Sequence, residues 1–532
     1  MSIFISPGVF SKELDLSDVV PNVSSTSAGI VGYSVKGDAV NVRLFSTQKQ
    51  FIEEYGKPVP GDFFHYSALA YLERGRTLWA LRVINGALFG GVKIMQSDAV
   101  DANAALLVGS LTAAYEAVSG EDICFYVYGR DPGVWNANVA VRVENIDATY
   151  YEFDIVVYDE NDVKLESWKV SRKTQKDGYG VQQYLESRIN DSSRYIRVAD
   201  NTNIADTVLP KAQAVSLALG GGSDGSAVSD SHVIAGWDNF GNPDELDVRA
   251  LINGGYTSVN VQTKMLAVAE DRLDCIAILD IPYAELTSVA SMVTWRSTTQ
   301  NFNSSYCALY TPWVKQYDPY NDKVLDLPPS GFMAAVFAYN DFVGEPWDAP
   351  AGFRRGVLNV VGLTNTFTPP TYYNPTGERD TLYAAQINPI QIFYGAGTTI
   401  WGQKTMQTRG SATDRINVRR LLIVMEKSIA IFLASFVFQR NNASTRFQIK
   451  AQIDAFMDDL SAKGAFQVET GDKGYSVVCD SSNNSQASID RNELYVDVYV
   501  KPVKTAEFVQ LRTVITTTGA SFDELTGVNF IL

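Results

Sequence analysis

Residues 328–352 constrain this chain more than any other stretch: they open Pro328-Pro329-Ser330-Gly331, close Ala349-Pro350-Ala351-Gly352, and hold one apolar run and Trp347 between. Proline locks its own backbone and removes a hydrogen-bond donor, while glycine enters turns that other residues resist. Four prolines and three glycines in 25 residues therefore read as a buried segment clamped between two rigid turns. The investment is in shape. No nucleophile-base pair or metal set accompanies it.

At 532 residues the chain exceeds what one hydrophobic core organises, so three or four units of roughly 100–200 residues are expected. Hydrophobic residues at 46% and charged residues at 20% suit a globular protein and exclude disorder over most of the length. With 44 basic and 60 acidic residues the net charge is -16, which repels phosphates and anionic lipid and argues against a nucleic-acid partner. Cys124, Cys275, Cys307 and Cys479 lie far apart without a Cys-x-x-Cys pair, so neither a zinc site nor a disulfide framework is expected and a reducing cytoplasm is the place of synthesis. The N-terminus lacks the basic region and apolar core of a secretion signal. Glu426 and Lys427 interrupt the most membrane-like run, residues 421–438, which reads as a buried helix and not as a membrane span.

The chain divides by pattern. Residues 1–24 carry Pro7, Gly8 and Pro21 without helical periodicity and read as an extended arm. Residues 25–90 and 226–365 alternate helical patterns (Phe63, Tyr66, Leu69, Ala70, Leu72; then residues 258–273) with strand-like runs at 78–84 and 275–282, predicting a discontinuous α/β domain. Residues 91–225 contain four short β-rich segments. In the third, Tyr151, Phe153, Ile155 and Val157 share a face opposite Glu152 and Asp154, and the whole reads as an inserted antiparallel β domain with one helix. The glycine run at 220–226 reads as a flexible boundary, since it lacks the Gly-Lys-Ser/Thr ending of a phosphate cradle.

Residues 366–506 predict an α+β domain. Thr413 or Asp414 caps a helix through residue 438, and Ser444 or Thr445 caps another whose Ile449, Ile453, Phe456, Met457 and Leu460 share a face before Gly464. Leu494, Val496, Val498 and Val500 then alternate with polar residues as a strand. In residues 507–532 both faces of an alternating segment are partly apolar and no partner strand follows, so it reads as a second extended arm that pairs elsewhere.

Candidate chemistry is sparse. His65 and His232 sit in no nucleophile motif, Ser330 needs only a turn role, and Asp280 reads as a capping or structural carboxylate, so no catalytic residue, cofactor or metal is assigned. Arg409, Arg415, Arg419, Arg420 and Lys427 concentrate positive charge near one helix. Part of this set shares a face, and it either meets an acidic neighbour or forms internal ion pairs with acids such as Asp414 and Glu426.

The 328–352 wording resembles the contractile tail sheath family of bacteriophages, R-type pyocins and related injection machines. Collinear pieces support it: Ser6-Pro7-Gly8-Val9-Phe10, Ser27-Ala28-Gly29-Ile30-Val31-Gly32-Tyr33, Phe51-Ile52-Glu53-Glu54-Tyr55-Gly56, Leu81-Arg82-Val83, Leu309-Tyr310-Thr311-Pro312-Trp313, Trp401-Gly402-Gln403-Lys404-Thr405 and Ile416-Asn417-Val418-Arg419-Arg420-Leu421. The resemblance implies a non-enzymatic virion subunit that polymerises in hexameric rings around an inner tail tube. Such a subunit meets baseplate and tail terminator proteins and contracts to drive the tube through the host envelope. It implies that both arms donate strands to neighbouring copies, through Leu14, Leu16, Val19, Val20 and Val23 and through Val509, Leu511, Thr513 and Ile515. It makes the five cations a candidate tube-facing surface. The competing reading is a non-contractile adhesive virion protein whose β domain binds glycan.

Overall fold

The structure, a computed structural model, describes residues 26–108, 122–371 and 376–507. It is multidomain, α/β with a β insertion and an α+β C-terminal unit. Its largest element is a nine-stranded sheet in the order Val357–Leu358, Gly397–Ile400, Ile387–Phe393, Cys307–Thr311, Ile276–Asp280, Ala250–Ile252, Ser27–Tyr33, Thr77–Val83, Arg43–Phe45. The six central strands pair in parallel and the outer ones antiparallel. Parallel strands need cover on both faces, and successive residues divide accordingly. Ile30, Leu78, Ala80, Ile276 and Ile278 enter one core, while Val31, Leu81, Val83, Ala277 and Leu279 enter the other. Helices Phe63–Leu72 and Ser330–Val343 cover the first face, and Asp230–Asp238 and Val259–Arg272 the second.

The apolar run after the double proline is buried and forms a helix. Ser330–Val343 is apolar nearly all round because the sheet lies on one side and helix Phe63–Leu72 on another. Gly331 permits this approach: a Cβ there would lie 2.4 Å from the Ser67 carbonyl oxygen. The sheet also runs past the domain break expected at 365. Ile387 pairs in parallel with Leu309, and Gly397–Ile400 then folds back on Ile387–Phe393, so residues 387–400 belong to the α/β domain.

The insertion packs two four-stranded antiparallel sheets over a common core. One is ordered Ile196–Asp200, Ile123–Gly129, Phe89–Met95, Ala104–Val108, and the other Leu217–Ala218, Val139–Asp147, Glu152–Asp159, Lys164–Ser171. Phe125 and Phe153 stack across the sheets at 5.5 Å. The glycine run that leads back is no loose linker. Leu88 and Ser223 exchange backbone hydrogen bonds of 2.8 and 3.0 Å, Gly91 and Gly220 bonds of 2.9 and 3.2 Å, and Ser226 N–H donates to the Asn85 carbonyl at 2.8 Å. A Cβ on Gly222 would lie 2.3 Å from the Gly133 carbonyl oxygen, so glycine there allows backbone to pack on backbone.

In the C-terminal unit, helix Ile416–Ala434 packs on Ala443–Ala462 and on the two-stranded sheet Tyr475–Val478 and Asp497–Val500. Ile449, Ile453, Phe456, Met457 and Leu460 are all buried. Three helix ends differ from expectation. Helix Ile416–Ala434 starts after Arg415 and stops four residues short of 438, and Asn442, not Ser444 or Thr445, caps the next by accepting the Thr445 N–H at 2.9 Å.

Candidate functional site

The cation-bearing helix begins at the end of the α/β domain, and its charges point back into that domain. Arg419 stacks on Tyr306, 4.3 Å from the ring centre, and donates to the Tyr306 hydroxyl at 3.0 Å. Arg420 lies over Phe337 at 4.6 Å and binds both carboxylate oxygens of buried Asp341 at 2.7 and 2.5 Å. Lys427 reaches Asp274 at 2.9 Å, a carboxylate that Arg249 (3.3 Å) and Arg272 (2.9 Å) already hold. Arg415 clasps both carboxylate oxygens of Glu507 at 2.6 and 3.0 Å and meets Asp414 at 3.0 Å. Arg409 is exposed. Arg419, Arg420 and Lys427 are therefore ties to the α/β domain, Arg415 is held by Glu507 and Asp414 within the C-terminal unit, and the set does not form one open surface. The sequence marks the charged helix and one partner, Asp414, but not the acids that lie 79, 92 and 153 residues away in the chain.

These ties differ in weight. Removing one cation from Asp274 leaves two guanidinium groups on it, so Lys427→Met is expected to cost only about 1 kcal/mol in a urea melt. A loss several times larger would mean that Lys427 alone neutralises Asp274.

The proposed linking residues Leu14, Leu16, Val19, Val20, Val23, Val509, Leu511, Thr513 and Ile515 lie outside the described residues. Their points of departure are fixed. At the first, the Tyr71 hydroxyl sits on the Thr26 and Thr77 carbonyls, just before strand Ser27–Tyr33. At the second, Glu507 accepts from Arg415, from the Tyr383 hydroxyl at 3.0 Å and from Gln403 Nε2 at 3.1 Å. Burial and the adjacent Glu507 carboxylate push the Tyr383 phenol well above its ordinary pKa, which keeps it a donor. This clasp was not legible in the sequence, since nothing local marks Glu507 as the partner of Arg415.

The histidines serve structure. His65 is buried between Asp62 and the Tyr55 carbonyl (3.2 Å from Nε2), and His232 Nδ1 joins Ser229 Oγ at 2.7 Å at the start of its helix. Ser330 donates to Asp280 at 2.7 Å with no histidine between them, so the pair lacks a general base. Among the described residues no His, Cys, Asp or Glu group could hold a metal ion, and no helix is long and apolar enough to cross a membrane. All four cysteines are free and buried, and burial pushes the Cys124 and Cys275 thiols up to about 12.

Against known proteins, the sequence profile of the phage tail sheath protein central domain matches residues 226–406, and that of the phage tail sheath C-terminal domain matches 408–516. The chain belongs to the phage tail sheath family. It is 32% identical over 371 residues to the tail sheath protein of Vibrio phage KVP40, covering 65% of this chain and 52% of that one. It is 31% identical over 397 residues to the tail sheath protein of Enterobacteria phage T4, covering 70% and 57%. The chain thus spans little more than half the length of these curated relatives. The sheath fold extends further than the sequence matches. The sheath complex of an extracellular contractile injection system, in its contracted state, shares it with a TM-score of 0.55 at 17% identity, over 97% of this chain and 98% of that one. The sheath tail protein of Listeria innocua gives 0.58 at 10% identity, over 91% and 93%. The profile boundary at 406–408 falls between the last strand of the nine-stranded sheet and the cation-bearing helix, where the structure also changes domain. Sheath proteins are structural and not a family of enzymes.

Proposed function

We propose that this sheath protein is the repeating subunit of a contractile tail. It polymerises helically in rings around an inner tube, is assembled in the bacterial cytoplasm, and contracts to drive the tube through the host envelope for genome ejection. Its partners are other copies of itself, the tube protein, and baseplate and terminator proteins at the ends. Work comes from conformational free energy stored at assembly, released as rigid domains change their lateral contacts.

The observation that carries this reading is the small C-terminal sheet. Tyr475–Val478 with Asp497–Val500 forms a two-stranded sheet with no third strand among the described residues, so it offers edges open to further pairing. Extended segments donated by neighbouring copies, residues 11–24 and 508–532, supply the missing pairing. The Glu507 clasp then sets where the second segment leaves the body. Of the five cations considered for the tube face, Arg409 alone is not engaged by the internal ties described above, and it takes that assignment.

Full-length protein is expected to form hollow tubes by electron microscopy. Deleting residues 1–24 or 508–532 is expected to leave a folded monomer by sedimentation; the second cut spares Glu507 and its clasp. Long polymers from both truncations would remove the strand-donation mechanism.

A further inference from the structure

The turn between the two long C-terminal helices presents an apolar knob. Phe438 has a backbone φ of +69°, a conformation that bulky residues avoid, and its side chain is fully exposed at 103%. Phe447, on the first turns of the next helix, is 74% exposed, and Val437 and Ile431, on the approach to the turn, are exposed as well. The chain has buried what it can, since Phe436 turns inward against Phe432 with ring centres 5.0 Å apart. The knob is also held in place. Asn442 caps the second helix, Arg446 Nη1 donates to Asn441 Oδ1 at 2.6 Å, and Asn441 Nδ2 donates to the Glu493 carbonyl at 2.9 Å. A solvent-facing phenylalanine in a strained turn, with a second exposed on the helix that follows it, marks an interaction site.

Charge says what it meets. Residues 435–450 carry Arg440, Arg446 and Lys450 and no acid; Asp454 pairs with Lys450 at 3.1 Å, which leaves Arg440 and Arg446 as the positive rim within a chain of net charge -16. A basic-rimmed apolar knob on an acidic molecule complements the acidic surface of another such molecule, and an open helical polymer requires two different faces that fit each other. We propose that the Phe438–Phe447 knob docks on a second copy of this chain as a lateral contact separate from strand donation. This rests on the sheath reading, and the closing experiment separates the two.

Phe438→Gly combined with Phe447→Ser removes the knob without harming the fold, because glycine accepts the positive φ that phenylalanine resists. The full-length double variant is expected to melt within a few degrees of the wild type, yet to need at least tenfold more protein to form tubes. A photoreactive benzophenone side chain at position 438 is expected to give covalent dimers of this chain in assembled tubes. Wild-type tubes matched by the double variant at equal concentration, or a crosslink to the tube protein alone in whole tails, would overturn the knob and leave the sheath reading intact. A wild-type chain that forms no polymer would remove both.

Discussion

Replacing Arg82 by methionine is expected to destabilise the protein by about 3 kcal/mol or more and to loosen the β insertion from its base. Arg82 lies within strand Thr77–Val83, and its side chain is fully buried. It has no directly bonded carboxylate. Nε donates to the Ser34 carbonyl at 2.7 Å, Nη1 to the Gly37 carbonyl at 2.7 Å, and Nη2 to the Pro132 carbonyl at 2.9 Å. Ser34 and Gly37 belong to the α/β domain and Pro132 to the insertion, so one guanidinium plane joins two domains. Burial lowers its pKa, and the more distant Asp131 and Asp224 carboxylates oppose that effect. Methionine fills part of the volume and donates nothing, leaving three carbonyls without a donor at about 1–3 kcal/mol each. Urea denaturation should show the loss, and limited proteolysis should cut faster between residues 129 and 138. A variant within about 1 kcal/mol of the wild type would show that water or rearranged backbone replaces the arginine.

How much of this was legible depends on how far apart the interacting residues lie. The alternation at 151–158 located strand Glu152–Asp159, and the apolar spacing at 449–460 located the buried face of helix Ala443–Ala462, because both patterns are local. Residues 328–352 announced burial but not helix. An element enclosed by a sheet and another helix loses the one-sided pattern that identifies helices. The glycines at 220–225 suggest flexibility because composition does not distinguish a linker from glycine chosen so that two backbones touch. The sheet's reach past residue 365 is not legible because strand Ile387–Phe393 pairs with Cys307–Thr311 across a long excursion that contains another small sheet. The cations on the long helix were seen as a group, but whether they face water or Asp341, Asp274 and Glu507 is decided by tertiary placement alone.

Asp280→Ala is expected to destabilise the protein most below neutral pH and progressively less as pH rises to 8. The carboxyl ends strand Ile276–Asp280, is wholly buried, and is held by uncharged donors: the Ser330 N–H at 2.8 Å, the Ser330 hydroxyl at 2.7 Å and the Gly255 N–H at 3.2 Å. Burial outweighs these three bonds and pushes its pKa up to about 7. An unfolded aspartate titrates near ~3.9, so between roughly pH 4 and 7 the folded chain binds a proton that the unfolded chain does not. Stability from this group therefore falls as pH rises through that window, by up to about 4 kcal/mol at about 1.4 kcal/mol per pH unit. Alanine abolishes this dependence and leaves the Ser330 and Gly255 N–H groups unpartnered at every pH, a loss of about 1–3 kcal/mol each. The wild-type advantage should thus be large at pH 5 and small at pH 8, measured by urea melts across that range. An advantage that stays constant, or grows with pH, would mean that Asp280 is ionised in the folded protein and caps helix Ser330–Val343 as a charge. In that case the helix dipole and the three donors would outweigh burial.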